Sequence, residues 1–492
     1  MIGLCLLTVA LAPQEPRVAT FQLPGTVAIE RATTLDVDLD GAADVVLSCR
    51  DWKTGERTVQ VHLRQPRRPA FLPKPDRRYQ LDGSVVAFSF CDCADDPGRE
   101  LVLLTPTVAA AVVMKPGGAL DYRELFRHTL VWPTPWTRLA MSLTDAVMDL
   151  DGDGRDDLLL PSPDGWSAWL QGADGFAAQR LELPAWRDKI QAAVGGGSGS
   201  ATVGSGQFAL RFSAGRPTRA GSVLVQASAR TPLCARADVD GDGRADLITQ
   251  RNGVAYFGAW TQPQVLARQD RALPLPGNRL KLVDPSFDVQ WPDVNNDGRA
   301  DLLLTTSAKR DDAVEARVDL FVTKPDGTWP ARPTRRLRMQ PMARAPQVVD
   351  VDGDGDLDLA CVTIRTSSIS ALTQRDDASV DGQLTVFANE DGAFAKRPSL
   401  NVALPLTSTK EMREPFVYVR PGKRGFPGDV LALAGKRLER RLLSKAGGGL
   451  TMAAADASAE VPSRSLIQVT DDAGDDVLIT VRGELRHLRF RR

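Results

Sequence analysis

The sequence has few of the side chains on which most enzymes rely for catalysis. Its 492 residues include three histidines and four tyrosines, and aromatic residues make up 6% of the chain. His62 and His487 lie in strand-like segments, and nothing near His128 reads as a nucleophile. The chain contains no G-x-S-x-G elbow, no H-E-x-x-H pair and no phosphate-binding loop. These absences favour a protein that is not an enzyme.

The sequence also lacks a strong net charge and a long apolar segment. Lys and Arg number 61 against 62 Asp and Glu, which gives a formal net charge of −1. No run of apolar residues approaches the ~18 that would cross a bilayer, so we expect no membrane span. No nucleic-acid recognition motif accompanies the basic clusters, so we expect no nucleic-acid partner.

The first twelve residues resemble the apolar core and cleavage site of a short secretory signal, without the usual positive charges. The run ends with Ala10-Leu11-Ala12 before Pro13. We interpret residues 1–12 as a signal peptide, with an N-terminal strand or a misplaced start as the alternatives. This interpretation predicts a secreted, periplasmic or cell-surface protein that consists of residues 13–492.

Five cysteines remain beyond that segment, and their spacing does not fit a zinc site. Cys91 and Cys93 could contribute to a disulfide with a partner elsewhere. Cys49, Cys234 and Cys361 lie in or beside strand-like runs, and we expect them to be small buried apolar residues. The odd number leaves cysteine pairing open.

What the chain has in abundance is one aspartate-rich loop, which occurs five times. Each copy has side-chain oxygens at positions 1, 3, 5 and 9, and a short apolar run follows it. Clustered carboxylates repel one another unless a cation lies between them. The pattern suits Ca²⁺, which accepts six to eight oxygen ligands, better than Mg²⁺. The candidate ligands are Asp36, Asp38, Asp40 and Asp44; Asp149, Asp151, Asp153 and Asp157; Asp238, Asp240, Asp242 and Asp246; Asp293, Asn295, Asp297 and Asp301; and Asp350, Asp352, Asp354 and Asp358.

These loops differ from the EF-hand, which shares the opening D-x-D-x-D-G. An EF-hand needs a bidentate Glu at position 12 and flanking helices. The apolar runs that follow the loops, such as Leu302-Leu303-Leu304, are instead strand-like. None of the residues at position 12 supplies such a carboxylate: Leu47, Leu160, Thr249, Leu304 and Cys361. We therefore expect each loop to join two strands of a hairpin.

The spacing of the loops indicates a longer repeat. They begin at residues 36, 149, 238, 293 and 350, and the last three are about 55 residues apart. The doubled first interval contains a decayed copy, Asp92–Glu100, and two weaker copies end at Asp429 and Asp476. Eight repeats of this length, rich in short strands, are typical of four-stranded propeller blades.

The sequence thus predicts an all-β fold: a single calcium-binding β-propeller of seven or eight four-stranded blades, with eight favoured. The last blade is short of an outer strand, which Val18–Leu23 could supply, so that both termini join in that blade. Two stretches exceed the repeat, and we interpret them as insertions near 185–232 and 363–414. Within the first, Gln207–Phe212 and Ser222–Gln226 predict a protruding hairpin.

Repeats of D-x-D-x-D-G-x-x-D followed by apolar residues resemble those of the FG-GAP/VCBS repeat proteins, relatives of the integrin α-subunit head. The resemblance covers nearly the whole chain. It implies that the side chains at positions 1, 3, 5 and 9, with the backbone carbonyl at position 7, hold Ca²⁺ at about five sites. The Phe-Gly and Gly-Ala-Pro elements of integrins are barely present; Phe257-Gly258-Ala259 is the nearest.

Calcium would also change the electrostatics of the chain. Five bound ions would shift the formal net charge from −1 to about +9. Basic clusters outside the loops are then either a solvated exterior or a surface that attracts anionic polymers. These clusters are Arg64, Arg67 and Arg68; Arg77 and Arg78; Arg335, Arg336 and Arg338; Lys436, Arg437, Arg440 and Arg441; and Arg486, Arg489, Arg491 and Arg492.

From these features we expect a secreted, calcium-stabilised and monomeric β-propeller that binds a polysaccharide, a cell-envelope component or a protein, without catalysis. Insertions on such a rigid scaffold are candidate recognition loops. The alternative is a propeller-fold carbohydrate-active enzyme, either a polysaccharide lyase or a hydrolase. Paired carboxylates can serve hydrolysis, and their separation cannot be read from the sequence.

Overall fold

The structure is a computed structural model, and its described residues form strands, turns and loops, with no helix among them. None of the described segments could therefore cross a bilayer as a helix. The described residues are 17–65, 71–72, 74–94, 97–114, 120–130, 142–143, 146–162, 165–181, 189–194, 209–211, 223–230, 234–251, 254–262, 265–274, 283–310, 313–364, 379–407, 415–423, 425–446, 449–462, 465–469, 476–481 and 484–489. The proposed signal peptide lies outside these ranges.

The strands form eight four-stranded antiparallel blades, so the fold is an eight-bladed β-propeller, and the predictions of an all-β propeller and of eight blades are confirmed. The chain divides into two compact units. Unit 1 comprises Met1–Asp36, Asp40–Leu81 and Asn278–Arg492, and unit 2 comprises Val37–Leu39 and Asp82–Gly277.

Unit 1 contains blades 1, 5, 6, 7 and 8, and blade 6 carries an additional small hairpin of β29 and β30. Its strands are β2 (Val27–Leu35), β3 (Asp44–Asp51), β4 (Arg57–His62) and β5 (Arg77–Leu81) in blade 1; β22 (Val283–Gln290), β23 (Leu302–Arg310), β24 (Ala313–Phe321) and β25 (Arg335–Met339) in blade 5; β26 (Gln347–Val349), β27 (Asp358–Ile364), β28 (Ser379–Phe387), β29 (Asn389–Glu390), β30 (Ala393–Phe394) and β31 (Leu400–Thr407) in blade 6; β32 (Val417–Arg420), β33 (Asp429–Ala434), β34 (Arg437–Ala446) and β35 (Gly449–Glu460) in blade 7; and β36 (Leu466–Val469), β37 (Asp476–Val481), β38 (Glu484–Arg489) and β1 (Arg17–Gln22) in blade 8.

Unit 2 contains blades 2, 3 and 4 and a separate three-stranded sheet. Its strands are β6 (Ala87–Cys91), β7 (Glu100–Leu104), β8 (Val108–Met114) and β9 (Leu120–Arg127) in blade 2, with β10 (Ser142–Leu143) parallel to β6; β11 (Val147–Met148), β12 (Asp157–Ser162), β13 (Gly165–Gly172) and β14 (Gly175–Arg180) in blade 3; β18 (Cys234–Ala237), β19 (Asp246–Arg251), β20 (Val254–Gln262) and β21 (Val265–Ala272) in blade 4; and β15 (Lys189–Val194), β16 (Ala209–Arg211) and β17 (Val223–Arg230) in the extra sheet.

Blade 1 shows how the sequence builds a blade. Its second strand, β3, is rich in β-branched and apolar residues and is buried from Asp44 to Cys49. Its outer strand, β5, alternates instead: Arg78 is exposed and Tyr79 is buried. The second and third strands, β3 and β4, are therefore covered on both faces, whereas the outer strand presents one face to solvent.

The two termini meet in blade 8, as the sequence predicts. The N-terminal strand β1 pairs antiparallel with β38 over its full length, from Arg17 opposite Arg489 to Gln22 opposite Glu484. Phe21 of β1 is buried and packs in one cluster with Leu485 of blade 8 and Leu47 of blade 1. The added strand thus completes the sheet and also fills the core between these two blades.

The hydrophobic core consists of apolar clusters between neighbouring blades. In unit 1, Leu384 and Leu404 of blade 6 pack with Val430 of blade 7. In unit 2, Leu104 of blade 2 packs with Leu158 of blade 3 in a second such cluster. Cys49 and Cys361 are fully buried in these cores, as expected, and Cys91 and Cys93 are also buried and unbridged.

Both overlong stretches contain regular strands. In residues 185–232 the two predicted strands pair antiparallel as β16 and β17, and β15 pairs with the other edge of β17 to form a three-stranded sheet. Residues 363–414 include β28 and β31, the third and outer strands of blade 6. The polar residues 365–378 and 408–414 lie outside the described part of the chain.

Candidate metal-binding loops

The five aspartate-rich loops all occupy the same place in their blades. Each connects the first strand to the second, as in blade 3, where β11 ends at Met148 and β12 begins at Asp157. Each loop therefore begins at position 1 just after an inner strand and ends at position 9, where the next strand starts. The repeat in the sequence is thus a repeat of one strand–loop–strand unit.

The carboxylate at position 1 organises the turn by accepting two backbone hydrogen bonds. In blade 4, Asp238 Oδ1 accepts the N–H of Gly241 at 2.6 Å, and its Oδ2 accepts the N–H of Gly243 at 2.7 Å. The carboxylates of Asp149 and Asp350 accept the equivalent pairs of amide groups. The chain therefore wraps around this side chain, as side-chain-to-backbone bonding in turns favours.

The carboxylate at position 9 joins the loop to the end of the third strand of its blade or to the residues just after that strand. Asp358 Oδ2 accepts the N–H of Val351, and its Oδ1 accepts the N–H of Asn389, at 2.9 and 2.8 Å. The same pair of acceptor contacts recurs at Asp157 and Asp301. Two backbone N–H groups, one from the loop and one from farther along the blade, therefore hold the position-9 carboxylate in place without a bound ion.

The position-9 carboxylates are buried, which makes their charge costly. Burial, with the neighbouring carboxylates adding to it, raises the pKa of Asp157, Asp301 and Asp358 to about 6. The same causes raise the pKa of Asp246 to about 7. A cation beside these groups would offset both the desolvation and the mutual repulsion.

The carboxylates converge as a metal site requires. In four loops, three side chains each offer one oxygen, and these oxygens lie within 4.8 Å of one another. Asp38 Oδ1 is also buried and makes no hydrogen bond to a described residue. The donor set consists of hard oxygen atoms, which fits Ca²⁺. The four groups are Asp36, Asp38 and Asp40; Asp149, Asp151 and Asp157; Asp238, Asp240 and Asp246; and Asp350, Asp352 and Asp358.

The remaining candidate ligands form ion pairs and hydrogen bonds within the same loops or blades. Asp153 and Asp242, at position 5, face the arginine two residues later: Arg155 Nε is 3.9 Å from Asp153, and Arg244 Nη2 is 2.6 Å from Asp242. In the loop of blade 5, Asn295 donates from its side-chain amide to Asp297 at 2.9 Å. Asp44, Asp293 and Asp354 accept backbone N–H groups in their own loops or blades.

The sequence pattern missed one requirement of the loop, at position 4. Gly at position 6 has positive φ in every intact loop, but position 4 is also left-handed in all five. Three loops place Gly there, and blade 5 places Asn296, with φ 54°. The first loop has Leu39, with φ 59°. Because Gly and Asn tolerate positive φ, their recurrence at position 4 indicates a second left-handed residue in the loop.

Two decayed loops among the described residues have replaced the acidic cluster by other contacts. In blade 2, Glu100 at position 9 accepts the N–H groups of Cys93 and Ala94. In blade 7, Asp429 at position 9 forms a buried bidentate ion pair with Arg420, whose side chain is 0% exposed. The decayed loop before Asp476 lies largely outside the described residues.

The histidines lie away from these loops. His62 and His487 pack with Phe21 and Phe71 in the core, as ring contacts at 4.6 and 4.9 Å show. His128 lines a cavity of about 300 Å³ with Ser162 and Trp169. Burial lowers the pKa of His128 to about 4, so its ring is neutral at physiological pH.

Several arginines of the basic clusters form ion pairs with acidic side chains, which the sequence alone does not show. Arg336 and Arg317 both contact Asp319, and Arg440 forms an ion pair with Asp456. Arg441 and Arg486 contact glutamates on their own strands. The expectation of uncompensated basic clusters is therefore wrong for these residues. Arg67, Arg68, Arg491 and Arg492 lie outside the described residues.

Comparisons with known proteins support the same repeat. Residues 293–361, which contain the loops of blades 5 and 6, match the FG-GAP-like repeat family. No curated protein sequence matches the chain.

Among solved structures, three similar chains are a lectin of Agrocybe aegerita that recognises terminal N-acetylglucosamine, Sqt1 from Chaetomium thermophilum and the rhamnogalacturonan lyase YesX. Their identities are 13%, 10% and 14%, with TM-scores of 0.35, 0.39 and 0.32. The matches cover 89%, 97% and 97% of this chain and 93%, 97% and 75% of those chains. Such distant matches carry no argument about activity. Residues 293–361 therefore carry an FG-GAP-like repeat within an eight-bladed β-propeller.

Proposed function

We propose that this protein is a secreted, calcium-stabilised β-propeller that acts as a non-catalytic binding module. The observation that carries the proposal is the convergence of three carboxylate oxygens in each of four equivalent loops. Each loop joins two inner strands, so a Ca²⁺ ion in it would stabilise the hairpin on which its blade is built. Binding to the folded chain alone adds to its stability.

The remaining surface supports a ligand of negative charge. Calcium in five loops would give the chain a formal net charge of about +9, compared with −1 for the polypeptide alone. On blade 5, Arg317 of β24 lies opposite Arg338 of the outer strand, and Arg336 lies opposite Asp319. Arg336 and Arg338 are exposed. We propose an acidic polysaccharide as the ligand, with a neutral envelope component or a protein as the other classes to test.

The histidine environments favour binding over catalysis. His62 and His487 contribute to the aromatic packing between blades 8 and 1, and the low pKa of His128 disfavours it as a general acid near neutral pH. The calcium loops use their carboxylates as ligands, which leaves them unsuited to act as a catalytic pair. A polysaccharide lyase or hydrolase is therefore the less favoured candidate.

The test is to incubate the calcium-loaded protein with a panel of acidic and neutral polysaccharides. Co-sedimentation and the release of new reducing or unsaturated ends would be measured on the same samples. We expect retention of acidic polymers without new ends, and weaker retention of the double variant Arg336→Gln/Arg338→Gln. Lys396→Gln, at an exposed position of blade 6 outside the basic clusters, is the control and should retain the polymer.

Two results would contradict this proposal in different ways. New chain ends would establish the enzymatic alternative. Absence of retention on every polymer would exclude the polysaccharide and direct the search to a protein partner. Localisation and oligomeric state can be tested separately, by fractionating the native host cells and by light scattering of the purified protein, for which we expect an exported monomer.

A further inference from the structure

One calcium loop has a lysine from the neighbouring blade at its carboxylates. Lys445 lies in β34 of blade 7, and its Nζ is 3.0 Å from Oδ2 of Asp352 in the loop of blade 6. Asp352 is the position-3 ligand candidate and belongs to the convergent group with Asp350 and Asp358. The ammonium group therefore sits at the oxygen cluster that a metal ion would use.

This arrangement differs from the loops of blades 3 and 4. There the nearby cation is an arginine at position 7 of the same loop, and it faces position 5 at the rim: Arg155 faces Asp153, and Arg244 faces Asp242. In blade 6, position 7 is Asp356, whose carboxylate accepts the side-chain amide of Asn296 at 2.7 Å. The blade 6 loop thus has a carboxylate at position 7, where the other two loops have an arginine, and its nearby cation comes from another blade.

The backbone around this loop holds Lys445 within reach. The segment before β33 donates three backbone hydrogen bonds to the loop: Gly422 to Asp350, Gly425 to Gly353 and Gly428 to Val351, at 2.6 to 2.8 Å. A Cβ atom on Gly353 would lie 2.3 Å from the carbonyl oxygen of Phe426, so this approach depends on glycine. The contact of blades 6 and 7 therefore fixes the distance between β34 and the loop.

We propose that Lys445 is a tethered cation that occupies the loop Asp350–Asp358 in the calcium-free state and competes with Ca²⁺ for it. This inference rests on the calcium binding proposed above. An ammonium group that pairs with Asp352 lowers the negative charge available to the ion, and it must leave before Oδ2 of Asp352 can become a ligand. The Lys445 side chain is 48% exposed, so it can move into water on its flexible stem.

Two consequences distinguish competition from ordinary structural support. Without the lysine, this loop should bind calcium more tightly, whereas the calcium-free loop should become less stable. Removing a merely supporting contact would weaken both states. Because exposed ion pairs are worth at most about 1 kcal/mol, we expect calcium affinity at this loop to increase by about threefold to fivefold.

The experiment is a calcium titration of the full-length protein followed by hydrogen–deuterium exchange and mass spectrometry. Peptides that cover residues 350–358 report this loop, and peptides that cover residues 149–157 and 238–246 report two loops without such a lysine. In Lys445→Met we expect the protection midpoint of the first peptide to move to about threefold to fivefold lower free calcium. Its exchange in EDTA should become faster, and the midpoints of the other two loops should not move.

Matched variants control for charge and for folding. Lys445→Arg keeps the cation and should retain the wild-type midpoint within a factor of about two. Lys396→Met removes an exposed lysine elsewhere in blade 6 and should shift nothing. An unchanged or weaker midpoint for Lys445→Met, or an equal shift in all three loops, would overturn the proposal. If calcium protects no loop in the wild type, the calcium-binding part of the proposed function fails as well.

Discussion

The loops of blades 6 and 7 both end in a buried aspartate, but they differ in how the charge of that aspartate is balanced. Each begins its second strand with a buried aspartate, Asp358 at 1% and Asp429 at 3% exposure. In blade 6, burial and neighbouring carboxylates raise the pKa of Asp358 to about 6. In blade 7, the guanidinium of Arg420 pairs with Asp429 through both carboxylate oxygens. The loop of blade 6 therefore has an acidic cluster suited to a bound cation, whereas in blade 7 the side chain of Arg420 supplies the positive charge.

This comparison explains how a calcium loop can be lost without losing its blade. A buried carboxylate is tolerated only with a cation or several hydrogen-bond donors. Once Arg420 supplies the charge, the other ligand positions are no longer constrained, and the segment 421–428 has become Pro- and Gly-rich. Blade 2 shows another solution, in which two backbone amides bind Glu100. The loop of blade 6 is intermediate, because it keeps its acidic cluster and also has Lys445, a cation of the same chain, beside Asp352.

The largest expected effect comes from removing the internal cation of blade 7. Arg420→Met would leave Asp429 buried and unpaired, and we expect a loss of about 3–5 kcal/mol in the free energy of unfolding. The loss should be the same with calcium and with EDTA, because no ion can replace the guanidinium in a loop without other acidic ligands. Urea denaturation in both conditions measures it.

The double variant Arg420→Met/Asp429→Leu is the control for that experiment. It replaces the ion pair by apolar side chains, so it should recover most of the lost stability. If the single variant were as stable as the wild type, or if calcium rescued it, the contrast between the two kinds of loop would be wrong.

The loss of calcium from a single loop is expected to have the next largest effect, and calcium removal should act on the acidic loops alone. At free calcium 100-fold above the dissociation constant, each site adds about 2.7 kcal/mol to the free energy of unfolding. Chelation by EDTA should therefore lower the melting temperature markedly. Asp240→Ala should bind one Ca²⁺ fewer by equilibrium dialysis, and its calcium-dependent stabilisation should shrink. An unchanged melting curve in excess EDTA would contradict the assignment of these loops to calcium.

The calcium-free protein should also show a pH dependence that comes from its buried carboxylates. The pKa of Asp246 is about 7 in the folded chain, well above the ~3.9 of an unfolded aspartate. Between these values the folded state holds a proton that the unfolded state has released, so stability falls as pH rises. The slope for one group is at most about 1.4 kcal/mol per pH unit.

The matched variant Asp246→Asn cannot ionise and isolates this effect. Urea denaturation in EDTA between pH 5 and pH 8 should show the wild type losing stability relative to the variant as pH rises. With saturating calcium, which requires ionised ligands, the wild type should be the more stable of the two at pH 7 and above. A difference that does not change with pH in EDTA would argue against the raised pKa of Asp246.

The sequence reveals the repeating part of this molecule better than the contacts between repeats. The spacing of aspartates and apolar runs predicts the eight blades, the position of each loop and the closing strand β1, because these depend on local pattern. Arg420 directly precedes its loop, at a position where intact loops have apolar residues such as Leu35 and Met148, so its special role is visible in the sequence. The role of Lys445 is not visible there, because its approach to Asp352 depends on how blades 6 and 7 pack. The edge strand β15 of the extra sheet likewise depends on pairing that the sequence does not display.

The smallest expected effect compares the first loop with the other intact loops at position 4. Leu39 adopts φ 59° and is 45% exposed, whereas Gly152, Gly241 and Gly353 occupy the equivalent left-handed position elsewhere. A side chain with a Cβ atom costs about 1–2 kcal/mol in this conformation, and a partly exposed leucine recovers little of that by burial. Leu39→Gly should therefore raise the free energy of unfolding by about 0.5–1 kcal/mol, after the entropy of the more flexible unfolded chain is subtracted. The reciprocal variant Gly241→Leu should lose a comparable or larger amount in blade 4. Urea denaturation of both variants in calcium tests this, and destabilisation by Leu39→Gly would mean that the leucine side chain makes contacts worth more than the backbone strain.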